Sequence, residues 1–211
     1  MKISKSDLIK ENISSLALSD GMYEAAVVGY MVSTRKPFND PDGDAYQAVR
    51  FAFQLCDDND NPKIVQSPDY KLSFSEKSNL YKQLSGWVKS TDPSNLWDRM
   101  KTAGFITEDD EFVLDKFLGV SLTLMVNMQT NKKDASKQFP VFQFCASKKG
   151  KSFKPVLAED GKLIPCWLPS FVEDSDIIEA LALDGFEWKR FESDEAATKD
   201  NAGSSADDMP C

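Results

Sequence analysis

Apolar and polar residues alternate with period two in several separate stretches of this chain, with helical spacing between the third and the fourth. The cleanest alternation is Tyr46–Leu55 (YQAVRFAFQL), where Val49, Phe51, Phe53 and Leu55 share one face and Tyr46, Ala48, Arg50 and Gln54 the other. That is the pattern of a half-buried strand, and burying its Phe face leaves Tyr46 and Arg50 exposed together. Met22–Val32 (MYEAAVVGYMV) is rich in Val and Tyr and reads as an earlier strand, with Gly29 a candidate for a bulge. A turn-rich loop, Ser33–Asp44, joins the two. The acidic turn Asp57–Pro62 leads to a third strand over about Ile64–Phe74, irregular at Pro68, with Tyr70, Leu72 and Phe74 inward and Lys71 and Ser73 outward.

The period then changes. Ser75-Glu76 reads as a helix start, and Leu80, Leu84, Trp87 and Val88 follow at i, i+4, i+7, i+8. A second short helical piece, about Ser94–Lys101, carries Leu96, Trp97 and Met100 and stops at Gly104. Alternation resumes in Val120–Met128. After a lysine-rich loop, Asn131–Lys137, it continues in Gln138–Ala146. The order β-β-β-α-β-β predicts a mainly β fold with helices. It is the element order of the OB-fold, a five-stranded Greek-key barrel with a helix between strands 3 and 4. A five-stranded barrel of another topology gives a similar string.

Four regions follow. Residues 1–20 form an N-terminal arm or helix with Leu8, Ile9, Ile13 and Leu16 at roughly helical spacing, and 21–154 form the OB-type domain. Residues 155–191 hold Trp167, Phe171, Ile177, Ile178, Phe186 and Trp188, too apolar for a linker. They predict an extension, with a helix over about Ser175–Leu183, packing on the barrel or on a second subunit. Residues 192–211 hold six acids against Lys199 and no aromatic residue, and so carry −5 of the chain's −9. Such a segment buries too little apolar surface to offset its ordering entropy and is expected to be a disordered acidic tail.

Charge is therefore segregated. Although the pI is near 4.6, Gln129–Lys154 holds seven lysines and one aspartate, a local +6. A field of that kind attracts phosphates despite the acidic average. The chain has no histidine, which removes His-based triads, and its four cysteines lie far apart without a Cys-x-x-Cys pair. Free thiols in a reducing compartment follow, and no zinc site. Asp40–Asp44 fails as a calcium loop because its glycine stands at position 4 and Phe51 occupies position 12. No phosphate-binding glycine loop or nucleophile elbow occurs. No catalytic residue, metal or cofactor is expected. The N-terminus lacks an apolar signal core and no run approaches the ~20 apolar residues of a membrane helix, so a cytoplasmic location is expected.

Two stretches carry a family resemblance. Tyr70–Ser90 (YKLSFSEKSNLYKQLSGWVKS), together with Asp115, Leu118 and Gly119 leading into the next strand, resembles phage-encoded single-stranded DNA-binding proteins. The last five residues, Asp207-Asp208-Met209-Pro210-Cys211, are similar to the acidic tip of bacterial single-stranded DNA-binding proteins, although such tips usually end in Phe. The resemblance spans about Gly21–Ala146 plus the tip. It implies an OB-fold, single-strand binding in phage replication or recombination inside a bacterial host cell, and recruitment of replication or recombination enzymes by Asp207–Cys211.

Single strands are held by cations tracking phosphates and by aromatic faces stacking bases. The candidates are Arg35, Lys36 and Phe38 in the first loop, and Tyr46, Arg50 and Lys71 on outward strand faces. Lys132, Lys133 and Lys137 lie before the fifth strand, and Lys148, Lys149 and Lys151 after it. In an OB-fold the loops between strands 1–2 and 4–5 flank one groove, so these clusters are expected to converge. Self-association is compatible with the short footprint of one such fold. The other readings are a non-enzymatic phage structural or interaction protein built on a small β-barrel and, behind it, a carboxylate-dependent nuclease.

Overall fold

The computed structural model describes residues 18–37, 43–57, 60–131, 134–147, 152–159, 161–164 and 187–191, with the backbone alone at 131 and 135–137. Residues 1–17 of the predicted N-terminal arm or helix, the predicted helix over 175–183 and the tail lie outside these, and Leu18, the last residue of the expected N-terminal helix, is buried in non-helical backbone. The described residues form one antiparallel sheet of seven strands rather than five, and two helices.

The strands are β1 (Gly21–Arg35), β2 (Tyr46–Cys56), β3 (Pro62–Gln66), β4 (Tyr70–Lys71), β5 (Ser121–Asn131), β6 (Asp134–Cys145) and β7 (Glu187–Arg190). The sheet runs β3-β2-β1-β5-β6, with β4 also on β2 and β7 also on β1. The expected third strand is split. Ser67 breaks it by donating its amide to the Phe51 carbonyl at 2.9 Å and accepting the Phe51 amide on its Oγ at 3.0 Å. Pro68, with no N–H to give, follows before β4 resumes pairing with Ala48 and Val49. The register shift in β1 falls between Val27 and Gly29, where the bulge is expected.

Three strands run further than apolar alternation shows. Ser33, Thr34 and Arg35 pair with Ala48, Gln47 and Tyr46, so Arg35 ends a strand and is not in the expected loop. At the other hairpin, Asn131 pairs with Asp134, leaving only 132 and 133 as the connection and placing Lys137 within β6. Polar residues extend β1, β5 and β6, and polar strand ends carry no periodic apolar signal.

The sheet curls over its inner face. Phe144 of β6 lies 5.1 Å from Phe53 and 6.3 Å from Phe51 of β2, and 5.9 Å from Tyr70 of β4, ring centroid to centroid. Since β1 and β5 separate β2 from β6, only strong curvature brings these rings together. The ring of strands is not closed by hydrogen bonds among the described residues. Helix α1 (Asn79–Val88) occupies the seam. Gln83 donates to the Phe142 carbonyl at 3.2 Å and accepts the Phe144 amide at 2.8 Å, so one side-chain amide takes the place of a neighbouring strand. Helix α1 is capped by Ser78, not Ser75: Ser78 Oγ accepts the Tyr81 amide at 3.0 Å, while Ser75 Oγ accepts the Lys77 amide in the preceding turn. Leu80 and Leu84 are buried as the stripe predicts. Helix α2 (Pro93–Thr102), capped by Asp92, buries Leu96 and Met100.

Gly86 makes the close approach possible, because a Cβ there would stand 2.4 Å from the Phe144 carbonyl oxygen. Gly86→Ala is therefore expected to destabilise the protein by 1 kcal/mol or more, as judged by urea unfolding, although the same change in an exposed helix stabilises by ~1 kcal/mol. A stabilised variant would show that α1 does not seat on β6 as described.

The outer face is covered across its middle. Residues 152–159 and 161–164 form a strap whose Leu163 packs with Ala26, Val28, Met31 and Ala52, flanked by Phe153 and Leu157. Gln54, outward by alternation, is 0% exposed beneath it. Its carboxamide accepts the Val156 amide at 2.6 Å and donates to the Val156 and Ile164 carbonyls at 3.0 and 2.7 Å. The motif residues Asp115 and Gly119 prove architectural. Asp115 accepts the Tyr30 hydroxyl at 2.6 Å and the β7 ammonium of Lys189 at 2.7 Å, and these bonds hold its carboxyl below the usual range. Gly119, at φ +78°, has the Phe191 ring 2.7 Å from where a Cβ would stand. No helix among the described residues is long and apolar enough to cross a membrane.

Candidate nucleic-acid interface

The strap leaves two ends of the outer face open. At the end where β1 meets β2, register alone assembles a cluster. Arg35 stands opposite Tyr46, Ala48 opposite both Ser33 and Lys71, and Arg50 opposite Met31. Cross-strand partners share a face, and Val32, Val49, Phe51 and Tyr70 face the core, so Arg35, Tyr46, Arg50 and Lys71 project together on the other side.

Asp69, in the break between β3 and β4, ties the two arginines. Its Oδ1 accepts from Arg50 Nε at 2.8 Å, and its Oδ2 lies 3.3 Å from an Arg35 Nη. The side chains are 34% and 47% exposed for Arg50 and Arg35, so these are solvent-screened pairs of the kind that contribute ~0–1 kcal/mol. Such pairs orient guanidiniums and yield readily to a stronger anion. Arg50 spends its Nε on Asp69, which leaves its two terminal nitrogens, the fork that fits a phosphate. Lys71 Nζ lies 5.1 Å from the centroid of the Tyr46 ring, a cation–π contact that places the ammonium over one face of the ring. Lys36 is exposed one residue beyond Arg35. Among the described residues it sets, with Arg35, Arg50 and Lys71, four cations against two carboxylates, Asp69 and the exposed Asp44; the loop that joins β1 to β2 also carries Asp40 and Asp42.

The structure thus brings Arg35, Lys36, Tyr46, Arg50 and Lys71 to one end of the sheet. Phe38, Lys132, Lys133, Lys148, Lys149, Lys151 and Asp207–Cys211 lie outside the described residues, and Lys137 is placed only by its backbone in β6. The two expected loop clusters are set apart along β1. Arg35 and Tyr46 mark its end, whereas Asn131 and Asp134, which flank Lys132 and Lys133, lie beyond its start, since Val126 already pairs with Gly21.

Two residues escaped sequence reasoning. Asp69 gives no local sign of its role, because its partners are 19 and 34 positions away in the chain. Phe139, 40% exposed, was legible. It is in phase with outward Val141 and Gln143 and out of phase with buried Phe142 and Phe144.

Among the described residues no group of three or more His, Cys, Asp or Glu side chains is gathered as a metal site would require. Cys56 and Cys145 are free thiols whose pKa values burial pushes up, which makes them poor nucleophiles. Compared with known proteins, the chain matches no family model, no curated protein and no solved structure.

Proposed function

We propose that this chain binds single-stranded DNA without sequence preference, coating and protecting unwound strands in phage replication or recombination in the host cytoplasm. The observation that carries the reading is the outer-face cluster of Arg35, Arg50, Lys71 and Tyr46: guanidinium and ammonium groups around a half-buried aromatic ring, one face of which Lys71 covers. Capture is electrostatic, with phosphates displacing Asp69 from the arginines, and a base stacks on Tyr46. Sequence tolerance follows because every base offers a π-face.

The fold is compatible with this reading. Taking β3 and β4 as one interrupted strand, the sheet order third-second-first-fourth-fifth is that of an OB barrel opened between its third and fifth strands. Helix α1 fills that opening through Gln83 and Gly86. The acidic tip Asp207–Cys211 would recruit replication or recombination enzymes, with Cys211 filling less of a partner's pocket than a terminal Phe.

A second reading, a β-rich interaction protein of the phage particle, is favoured by the exposed Met22 and Phe139. Incubating the protein with end-labelled single strands and Mg²⁺ at low salt separates these readings and a nuclease. Our reading predicts a retarded, intact strand. Cleavage would indicate a nuclease, and an unretarded intact strand would favour the interaction protein.

A further inference from the structure

The strap divides the outer face, and the end it leaves open on the β5–β6 side has a chemistry of its own. In register, Met22 lies opposite Met125 and that residue opposite Gln143, Asn127 opposite Val141, and Gln129 opposite Phe139. Met22 is 56% and Phe139 40% exposed, Met125 and Val141 are half-buried, and Asn127, Gln129 and Gln143 are exposed. The surface is thus one open aromatic ring among carboxamides and thioethers, with Glu24, bonded to Thr123, next to Met22 on the same face and Asp20 at the Met128 amide.

Its charge environment selects the occupant. The hairpin carrying Gln129, Phe139, Val141 and Gln143 is the same Gln129–Lys154 stretch that holds seven lysines against Asp134. Two of those lysines connect Asn131 to Asp134 at its tip, and three more separate Ser147 from Ser152 as the chain enters the strap. Apolar faces that bind other proteins are depleted of lysine at their centre, so an aromatic on a hairpin whose lysines outnumber Asp20, Glu24 and Asp134 fits a polyanion that also offers flat apolar rings.

We infer that this end is a second nucleobase subsite, in which Phe139 stacks a base of the strand whose other part lies on Tyr46, the strand passing beside or over the strap. The inference rests on the single-strand reading above. It adds that binding is bipartite and that only strands long enough to reach both ends engage Phe139. Asn127, Gln129 and Gln143 supply amide donors and acceptors to base edges and sugar without fixing a sequence.

The test uses the full chain and two oligothymidylates, one of about 4 and one of about 20 nucleotides, at the lower limit of and above the ~4–16-nucleotide footprints of single OB-type domains. Affinities are measured by fluorescence anisotropy at low salt for wild type, Phe139→Leu and Phe139→Tyr. Circular dichroism confirms folding, and sedimentation reports oligomeric state. The expected result is a loss of about tenfold or more for Phe139→Leu on the long strand only, with Phe139→Tyr close to wild type, as removal of one stacking ring predicts.

Equal affinities for wild type and Phe139→Leu on the long strand would overturn the inference while leaving single-strand binding intact. A change in oligomeric state without a change in affinity would overturn it in favour of an interface between copies. Absence of binding by wild type would overturn the single-strand reading itself, and this subsite with it.

Discussion

Phe144→Ala is expected to destabilise the protein by about 3–5 kcal/mol, the range for removing a fully packed aromatic ring. Phe144 is 4% exposed and sits where the sheet's two ends meet. Its ring contacts Phe51, Phe53 and Tyr70, strands that are not its neighbours in the sheet. Such a ring holds the curl closed in the absence of strand-to-strand hydrogen bonds, and each aromatic pair adds ~0.5–1.5 kcal/mol beyond area burial. For a chain of this size the loss corresponds to a fall in Tm of about 6–20 °C, read by differential scanning calorimetry. Phe139→Ala, on the same strand but the open face, should leave Tm nearly unchanged, within the ~0.5 kcal/mol usual for surface sites. Equal effects of the two substitutions would mean that β6 is not oriented as described.

The second large effect concerns binding. Replacing Arg35 and Arg50 together by alanine is expected to weaken single-strand affinity about ten- to a hundredfold. That corresponds to losing two charge-assisted phosphate contacts, each of which is worth somewhat less when exposed than the ~1.5–3 kcal/mol of a charged hydrogen bond. The salt dependence should fall with it, the slope of log K against log salt shrinking by about 1.4 at ~0.7 per phosphate. Stability should barely move, because the guanidiniums are exposed and their pairing with Asp69 is screened.

Asp69→Asn gives the opposite sign. It removes the anion that phosphate must displace, so affinity should hold or rise. A simple solvated ion-pair cluster would show neither effect. Filter-binding isotherms on the double variant and on Asp69→Asn therefore separate a phosphate site from a decorative one.

The sequence made some of this visible and hid the rest for physical reasons. Bulky alternation marked β2 and β5, because Phe51, Phe53, Leu122, Leu124 and Val126 are buried on a period of two, whereas β1, buried on both faces, was marked by its Val and Tyr content. The helical stripe marked α1, though three nearby serines competed as caps and only the hydrogen bond to the Tyr81 amide decides for Ser78. Segments that pair through backbone while carrying polar side chains left no such trace. The end of β1, the tip of the β5–β6 hairpin and β7 with its Glu-Trp-Lys-Arg sequence are of this kind.

Long-range covers were equally hidden. Gln54 alternates as a solvent-facing residue but is buried by backbone groups 102 and 110 positions later. At the site, Tyr46, Arg50 and Lys71 were legible from alternation alone, whereas Asp69 and the true position of Arg35 depended on where the strands end. The separation of the two cation clusters along β1 follows from register, which a list of elements does not contain.

If this surface neutralises phosphates, as we propose, salt reads that directly. Fluorescent oligothymidylate titrated with the full chain at a series of salt concentrations should give log K falling linearly with log salt. If Arg35, Lys36, Arg50 and Lys71 each neutralise one phosphate, the slope is about −3, and lysines of the β5–β6 region would steepen it. A slope near zero, or no binding at the lowest salt, would contradict the account.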